Sequence, residues 1–393
     1  MTAKSSSFWF EMRIAVPKEH QADERRVALV PEVVRKLTGR GLEVAVERGA
    51  GERALISDAA FEEAGAVIVD GSDVWKSDVV ITIAPPQPEQ ISSMNPDALL
   101  IGFLAPLTSA PTTVAARDSK VTAFAMEAIP RISRAQAIDA LSSQSNVAGY
   151  EAVILAAEEL TRFFPMLMTA AGTIPPAKVL VLGAGVAGLQ ALATARRLGA
   201  VVTGYDVRPE VAEQVESLGA SFLELGIEAS GDGGYARELS DDERAAQQQA
   251  LNEAITGFDV VITTALVPGR PAPKLISAAA VEGMRAGSVI VDLAGESGGN
   301  CELTVAGEKT IIHGVTILSP LNLPAQMPEH SSQLYARNVL ALLDLMIKDG
   351  EEGAATTLVP DFEDEIITGA CIARSGEIVH PGAKAAVEGA AAS

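Results

Sequence analysis

The chain reads as an α/β protein built from two doubly wound parallel sheets separated by a cleft. Three observations lead there. Short apolar runs alternate with helical stretches over nearly the whole length, the pattern of strands covered by helices on both faces. The alternation runs in two series, one from residue 12 and one from residue 178, and 393 residues suit two domains. The second series opens on a strand, a glycine-rich turn and a helix.

In the first series, residues 12–16 form a β-run and residues 31–36 open a helix with Pro31 near its first position. Residues 43–47 are a strand, 58–64 a helix and 78–83 a strand; 99–104 and 121–124 add two more strands. Residues 134–162 are mostly helical and connect the domains. The second series has strands at 178–182, 201–205, 221–223, 259–263 and 288–291. Residues 331–348, with apolar Leu334, Val339, Leu340, Leu342, Leu343 and Met346, form a helix returning to the first domain. The expected division is therefore 1–141 with 330–380 as one domain and 142–329 as the other. The Ala- and Gly-rich residues 381–393 are expected to be a disordered tail, and residues 1–11 a loose extension.

Composition narrows the function. Hydrophobic residues make up 48% of the chain, and 30 Lys and Arg against 51 Asp and Glu leave a net charge of −21. So acidic a chain is repelled by phosphate backbones and anionic lipid, which argues against nucleic-acid binding. No apolar run approaches 18 residues, so nothing reads as a membrane span. The start lacks the unbroken apolar stretch of a signal peptide, and the chain reads as soluble and cytoplasmic. Two cysteines, Cys301 and Cys371, exclude a disulfide scaffold and read as inert. His20, His313, His330 and His380 are scattered without metal-ligand spacing; His313 reads as structural, beside a strand, and His330 as a cap of the last helix. There is no nucleophile elbow, no Ser/His/Asp arrangement and no metal set.

Gly183-Ala-Gly185-Val186-Ala-Gly188 directly follows the strand at 178–182 and opens a helix. The first glycine permits the tight turn, the second lets backbone approach a pyrophosphate, and the third lets helix and strand pack closely. The helix N-terminus then turns unpaired N–H groups toward the phosphates. Asp206 stands 18 residues after Gly188, at the end of the next strand. A carboxylate there accepts hydrogen bonds from the adenosine ribose and repels a 2′-phosphate, favouring NAD over NADP. Arg208 reads as a partner of the adenine or pyrophosphate. The second domain is thus a Rossmann-type dinucleotide site.

Three other segments could carry chemistry. In Arg131-Ile132-Ser133-Arg134-Ala-Gln136-Ala-Ile-Asp139, a helical turn would put Gln136 and Asp139 on one face. An amide and a carboxylate together can grip a carboxamide such as that of nicotinamide; equally, they can form an ordinary helix start. The polar run from Ser142 to Asn146 could line a cleft or kink its helix. Residues 230–237, glycine-rich around Gly234 and Tyr235, suit a lid over a ligand or a plain mobile loop. Residues 263–274, with Thr264 and Leu266, follow a strand end, where doubly wound folds bind ligands.

Together these segments resemble the NAD(H)-binding domain I of proton-translocating NAD(P) transhydrogenase. The residues concerned are Val16-Pro-Lys-Glu19 with Glu24-Arg-Arg-Val-Ala-Leu29, the runs 131–139 and 141–146, and Gly183 to Gly188. To these are added Tyr205-Asp-Val-Arg208, 233–237, 263–274 and Val291-Asp-Leu-Ala-Gly-Glu-Ser-Gly-Gly-Asn-Cys301. Alanine dehydrogenase is related, but it uses a lysine, a histidine and an aspartate. The corresponding segments here read Ile83-Ala-Pro-Pro86, Phe103-Leu104-Ala105 and Glu296-Ser-Gly-Gly299. Oxidative deamination moves protons and needs acid–base groups. Hydride transfer between two nicotinamides moves none at the reacting carbons; it needs orientation and dryness.

The resemblance implies an oxidoreductase component of the Si/Re-type transhydrogenase. It would bind NAD(H) without a metal and be active only with an NADP(H)-binding domain III on a separate beta subunit. Membrane domain II subunits would couple transfer to proton translocation, and this chain would sit against the inner face of the membrane through them. It further implies that Arg131, Gln136 and Asp139 are the catalytic residues that orient the nicotinamide. The cofactor would be bound by Arg131, Ile132, Ser133, Gln136, Ser142, Gly183, Gly185, Val186, Gly188, Asp206, Val207, Arg208, Gly234, Tyr235, Thr264 and Leu266. Residues 164–176, two short apolar strands around Ala-Gly, resemble the exchanged hairpin of a homodimer.

Overall fold

The computed structural model describes residues 12–225, 241–267, 269–349 and 356–392. The first strands are β1 (Arg13–Val16), β2 (Glu43–Glu47), β3 (Val67–Val69), β4 (Val79–Ile81), β5 (Leu99–Gly102) and β6 (Thr122–Ala125). A hairpin follows, β7 (Leu167–Thr169) and β8 (Gly172–Ile174). Then come β9 (Lys178–Leu182), β10 (Val201–Tyr205), β11 (Ser221–Phe222), β12 (Val260–Thr263), β13 (Val289–Asp292), β14 (Lys309–Ile312) and β15 (Val315–Leu318). The last are β16 (Ile347–Lys348), β17 (Thr357–Leu358), β18 (Cys371–Arg374) and β19 (Glu377–Ile378).

Two compact units divide the chain: residues 1–144 with 325–393, and residues 145–324. The sheet of the first runs β19-β18-β6-β5-β4-β1-β2-β3, and that of the second β11-β10-β9-β12-β13-β15-β14. In both, the chain starts inside the sheet, winds outward through two strands, then crosses to the other side. The direction reverses between β1 and β4 and between β9 and β12, the two topological switch points. The fold is α/β with two large, mostly parallel sheets, as the sequence pattern indicates.

The strands read as continuous apolar runs because both faces are covered. Successive side chains point to opposite faces. Ile14 and Val16 enter one buried cluster while Ala15 enters the other; Val179 and Val181 part from Leu180 and Leu182 in the same way. Strands β18 and β19, which the sequence pattern does not announce, extend the first sheet, β18 antiparallel to β6 and β19 antiparallel to β18.

The expected disordered tail is overturned. Pro381–Ala392 is a helix. Pro381 stands at its start, the alanines favour helix, and Ala383 is fully buried. The ring nitrogen Nδ1 of His380 accepts the Ala383 N–H at 3.1 Å, which caps the helix, and burial lowers the pKa of this histidine. His330 is no cap: it is an exposed residue in the first turn of Pro328–Asp344, whose cap position is Met327. His313 sits in the tight turn joining β14 to β15, with φ +53°. Both cysteines are buried, and burial raises both thiol pKa values. No helix among the described residues is long and apolar enough to cross a membrane.

Candidate functional site

In the second unit the carboxyl ends of β9, β10 and β12 meet at the switch point. Gly183 leaves β9 with φ +99°, a conformation that a side chain resists, and its N–H bonds the Tyr205 carbonyl at 2.8 Å. Gly188 lies in the first turn of the helix Val186–Arg197, so close to β9 that a Cβ would fall 1.8 Å from the Gly183 oxygen. Gly185, the N-cap of that helix, is different: a Cβ there would meet nothing within 4 Å. Gly185 and Val186 are exposed. The sequence has therefore spent two glycines on packing and one on clearance. A glycine-bare helix N-terminus with open space before it is what a pyrophosphate requires, so the donor set fits a dinucleotide.

Asp206 follows β10, its carboxylate 7% exposed. Its Oδ2 accepts the Ala184 N–H at 2.8 Å, and its Oδ1 accepts the Arg208 backbone N–H at 2.9 Å. Arg208 also closes on it through Nε and Nη2, both at 3.0 Å. Burial pushes the Asp206 pKa up, but these hydrogen bonds outweigh it and hold the group below its ordinary value. The Arg208 guanidinium is thus taken up by the carboxylate two residues before it. Val207 between them is 68% exposed.

The loop after β12 completes the crevice. The Thr264 N–H bonds the Leu182 carbonyl at 2.9 Å, and its hydroxyl bonds the Gly183 carbonyl at 3.0 Å, fastening the loop to the glycine turn. Leu266 is 54% exposed. Gly234 and Tyr235 lie outside the described residues. Behind the loop stand two residues that sequence reasoning did not single out, Asp292 and Asn300, both fully buried. The signal for them was their place in the segment 291–301 that carries the family resemblance, where neither was given a role. The hairpin of β7 and β8 forms as expected, with Met166, Met168 and Ile174 exposed.

The run from Arg131 to Ser142 lies in the first unit. Ser133–Ile138 is a 3₁₀ helix closed by Asp139, a helical turn in which residues three apart stand one above the other. Asp139 ends the turn and caps the helix Ala140–Glu159: Oδ1 accepts the Ser142 N–H at 2.9 Å and Oδ2 its hydroxyl at 2.6 Å. Arg131, Ser133 and Gln136 are exposed, and Ile132 is half-buried. In the polar run beyond, Gln144 packs inside the first unit. Gln144 accepts from Arg26 Nη1 at 2.8 Å and donates to the Ser331 carbonyl at 3.1 Å.

The switch point of the first unit is furnished otherwise. Glu19, after β1, accepts the N–H of Ile83 at 2.6 Å and of Ala84 at 3.3 Å, both just past β4. Glu127 accepts the N–H of Ala105 at 2.6 Å and of Leu104 at 3.3 Å, just past β5. Tyr335, fully buried, donates to the Thr82 carbonyl at 2.7 Å. Burial drives the Glu19 carboxyl up to about 7, with Glu24 adding to the rise and Arg26 opposing it; burial also raises Glu127. Arg26 is held by Glu24 at 2.6 Å. The cavity that remains beside Glu19 is about 20 Å³, room for roughly one water. Among the described residues no group of His, Cys, Asp or Glu could hold a metal.

Known proteins resemble this chain over nearly its whole length. The family described as "Alanine dehydrogenase/PNT, N-terminal domain" matches residues 15–148, and "Alanine dehydrogenase/PNT, C-terminal domain" matches residues 152–381. An NAD(P) transhydrogenase alpha-subunit protein of Rhodospirillum rubrum is 48% identical over 381 residues, covering 94% of this chain and 98% of that protein. A crystal structure of a transhydrogenase from Sinorhizobium meliloti superposes with a TM-score of 0.81 at 41% identity, over 94% of this chain and 99% of that one. An alanine dehydrogenase of Mycolicibacterium smegmatis is 32% identical, over 82% of this chain and 84% of that protein.

Proposed function

The chain belongs to the alanine dehydrogenase/PNT family, and on that premise we propose that it is the NAD(H)-binding component of a proton-translocating NAD(P) transhydrogenase. The observation that carries the reading is the crevice at β9: a helix N-terminus cleared by Gly185, flanked by a buried, ionised Asp206. Likeness to relatives bearing the transhydrogenase name supports it. So does the state of the first unit's switch point, where Ala84 and Ala105 stand in the segments that hold the lysine and histidine of alanine dehydrogenase. Their N–H groups are taken up by Glu19 and Glu127.

Bound nicotinamide supplies the hydride; the chain supplies place and orientation. The N–H groups at Gly185 and Val186 take the pyrophosphate, with Gly183 and Gly188 holding the turn. Asp206 takes the adenosine ribose and excludes a 2′-phosphate, and Val207 and Arg208 flank the adenosine. For that, the guanidinium of Arg208 must yield its place on the carboxylate. Thr264 and Leu266 line the crevice beyond β12. Arg131, Ile132, Ser133 and Gln136 orient the nicotinamide, while Asp139 and Ser142 fix the start of the helix behind them. Gly234 and Tyr235 complete the set of proposed cofactor-binding residues. NADP(H) sits on a separate domain III, and domain II subunits couple the transfer to proton movement at the membrane, where this chain is a peripheral partner. Two copies pair through residues 164–176.

The test is stopped-flow hydride transfer from NADH to an NADP analogue after mixing the chain, sedimenting as a dimer, with a transhydrogenase domain III. Transfer is expected with a rate nearly flat around neutral pH, because no proton is abstracted. Gln136→Asn shortens the reach by one methylene and should cut the rate at least about tenfold while leaving NADH affinity nearly unchanged. Absence of transfer, or alanine-dependent NAD reduction by the chain alone, would refute the assignment.

A further inference from the structure

The loop after β12 is held in an unusual way. Ala265 sits between Thr264 and Leu266, outside any strand or helix. Its backbone is paired by a side chain instead: Asn300 Oδ1 accepts the Ala265 N–H at 3.1 Å, and Nδ2 donates to the Ala265 carbonyl at 2.9 Å. One amide thus does for Ala265 what a neighbouring strand would do. The second Nδ2 hydrogen goes to the Pro273 carbonyl at 2.8 Å, closing the far end of the same loop. The backbone of Asn300 is fixed too, its carbonyl accepting the N–H groups of Leu275 at 2.7 Å and Ile276 at 3.0 Å. Asp292, at the end of β13, anchors the next residue: it accepts the Cys301 N–H at 3.0 Å and the Thr304 hydroxyl at 2.6 Å. It also accepts the Thr263 hydroxyl at 2.9 Å, from the last residue of β12.

We infer that Asn300 is a positioning residue for the nicotinamide half of the cofactor, acting through Ala265 on the exposed wall formed by Leu266. This rests on the reading of the β9 crevice as a dinucleotide site. Strand order then gives the direction. Asp206 and the adenosine side lie at the end of β10, on one flank of β9; β12 and its loop lie on the other flank. What Asn300 holds therefore faces the half of the ligand remote from the adenosine. A buried amide with all three hydrogen bonds on one loop tolerates no substitute: a carboxylate keeps the shape but turns a negative oxygen on two carbonyls, while an apolar side chain strands the Ala265 N–H and C=O.

The experiment is equilibrium binding of NADH and of ADP to the full-length chain, wild type against Asn300→Asp, with the circular dichroism spectrum as a check on folding. ADP reports the adenosine and pyrophosphate contacts alone. The inference expects NADH affinity to fall about tenfold and ADP affinity to stay within about twofold. Equal retention of both ligands, or equal loss of both, overturns it. Should Asn300→Asp not fold, Leu266→Ala, at an exposed position, reads the same wall. Weaker NADH binding with unchanged ADP binding supports the inference, and unchanged NADH binding overturns it. A wild-type chain that binds neither ligand refutes the dinucleotide reading instead.

Discussion

At the ends of β4 and β5 the first unit turns its loop N–H groups onto its own carboxylates, Glu19 and Glu127, and Tyr335 fills the middle. At the end of β9 the second unit leaves the space beside Gly185, the N-cap of the next helix, open. The winding of the two sheets is the same, and so is the crevice that it generates. What separates them is how far the sequence's own carboxylates reach: in the second unit Asp206 takes the Ala184 N–H but leaves the space at Gly185 open. A switch point makes a place where backbone donors converge, and side chains decide whether that place is a ligand site or a piece of core. The topology of the first unit alone would have suggested a second binding site, and its two half-buried glutamates argue against one.

The sharpest way to break this comparison lies in the glycines of the second unit. Gly188→Ala would drive a Cβ to 1.8 Å from the Gly183 oxygen, with backbone on both sides that cannot yield. It should cost about 3 kcal/mol in urea unfolding and abolish NADH binding. Gly185→Ala meets nothing and should leave unfolding unchanged, while lowering NADH affinity by about tenfold as its methyl enters the ligand's space. If the two variants behave alike, the division into packing and clearance is wrong.

In the first unit the complementary change is Glu127→Ala. It strands the N–H groups of Leu104 and Ala105, the latter already strained at φ +50°. A loss of about 2 kcal/mol is expected by denaturant titration, with NADH affinity held within about twofold. A parallel loss of NADH binding would show that the first unit's crevice is not merely structural.

The effect that sharpens the comparison most is the pH dependence at Glu19. Its carboxyl is raised from 4.5 to about 7 in the folded chain. The unfolded chain releases this proton first, so between about pH 4.5 and 7 the native state holds the extra proton. The group's contribution to stability therefore falls as pH rises through that window, and levels off above it. Glu19→Gln should flatten the window, and the stability gap between the two proteins should change by about 1–3 kcal/mol from pH 5 to 8. Parallel profiles would mean that the carboxyl keeps its ordinary affinity for protons.

How far the sequence could be read follows from the range of the interactions. The strands announced themselves because residues such as Ile14, Ala15 and Val16 are apolar on both faces, and the β9 crevice because its glycines are contiguous. The glutamates were silent: Glu19 meets Ile83, and Glu127 meets Ala105, across chain separations that no local pattern records. Asn300 was hidden in the same way, 35 residues from Ala265. The Asp139 region was ambiguous for a different reason. Its spacing fits a helix face or a helix cap equally, and only the hydrogen bonds of Asp139 to Ser142 reveal the cap. Residues 381–392 misled because alanine and glycine look featureless, although small side chains are what allow a helix to lie close against its neighbours.

The second unit is one unbroken stretch of chain, residues 145–324, whereas the first is closed by segments from both ends. On a ribosome, β1 to β6 emerge early and then wait. The edge of β6 has no partner until β18 is made, and the space at Thr82 stays unfilled until Tyr335 arrives. Meanwhile the second unit has all its strands in hand. The half of the protein that is translated first is therefore the half that finishes folding last, and for that interval a parallel sheet with an open apolar edge is exposed to the cell.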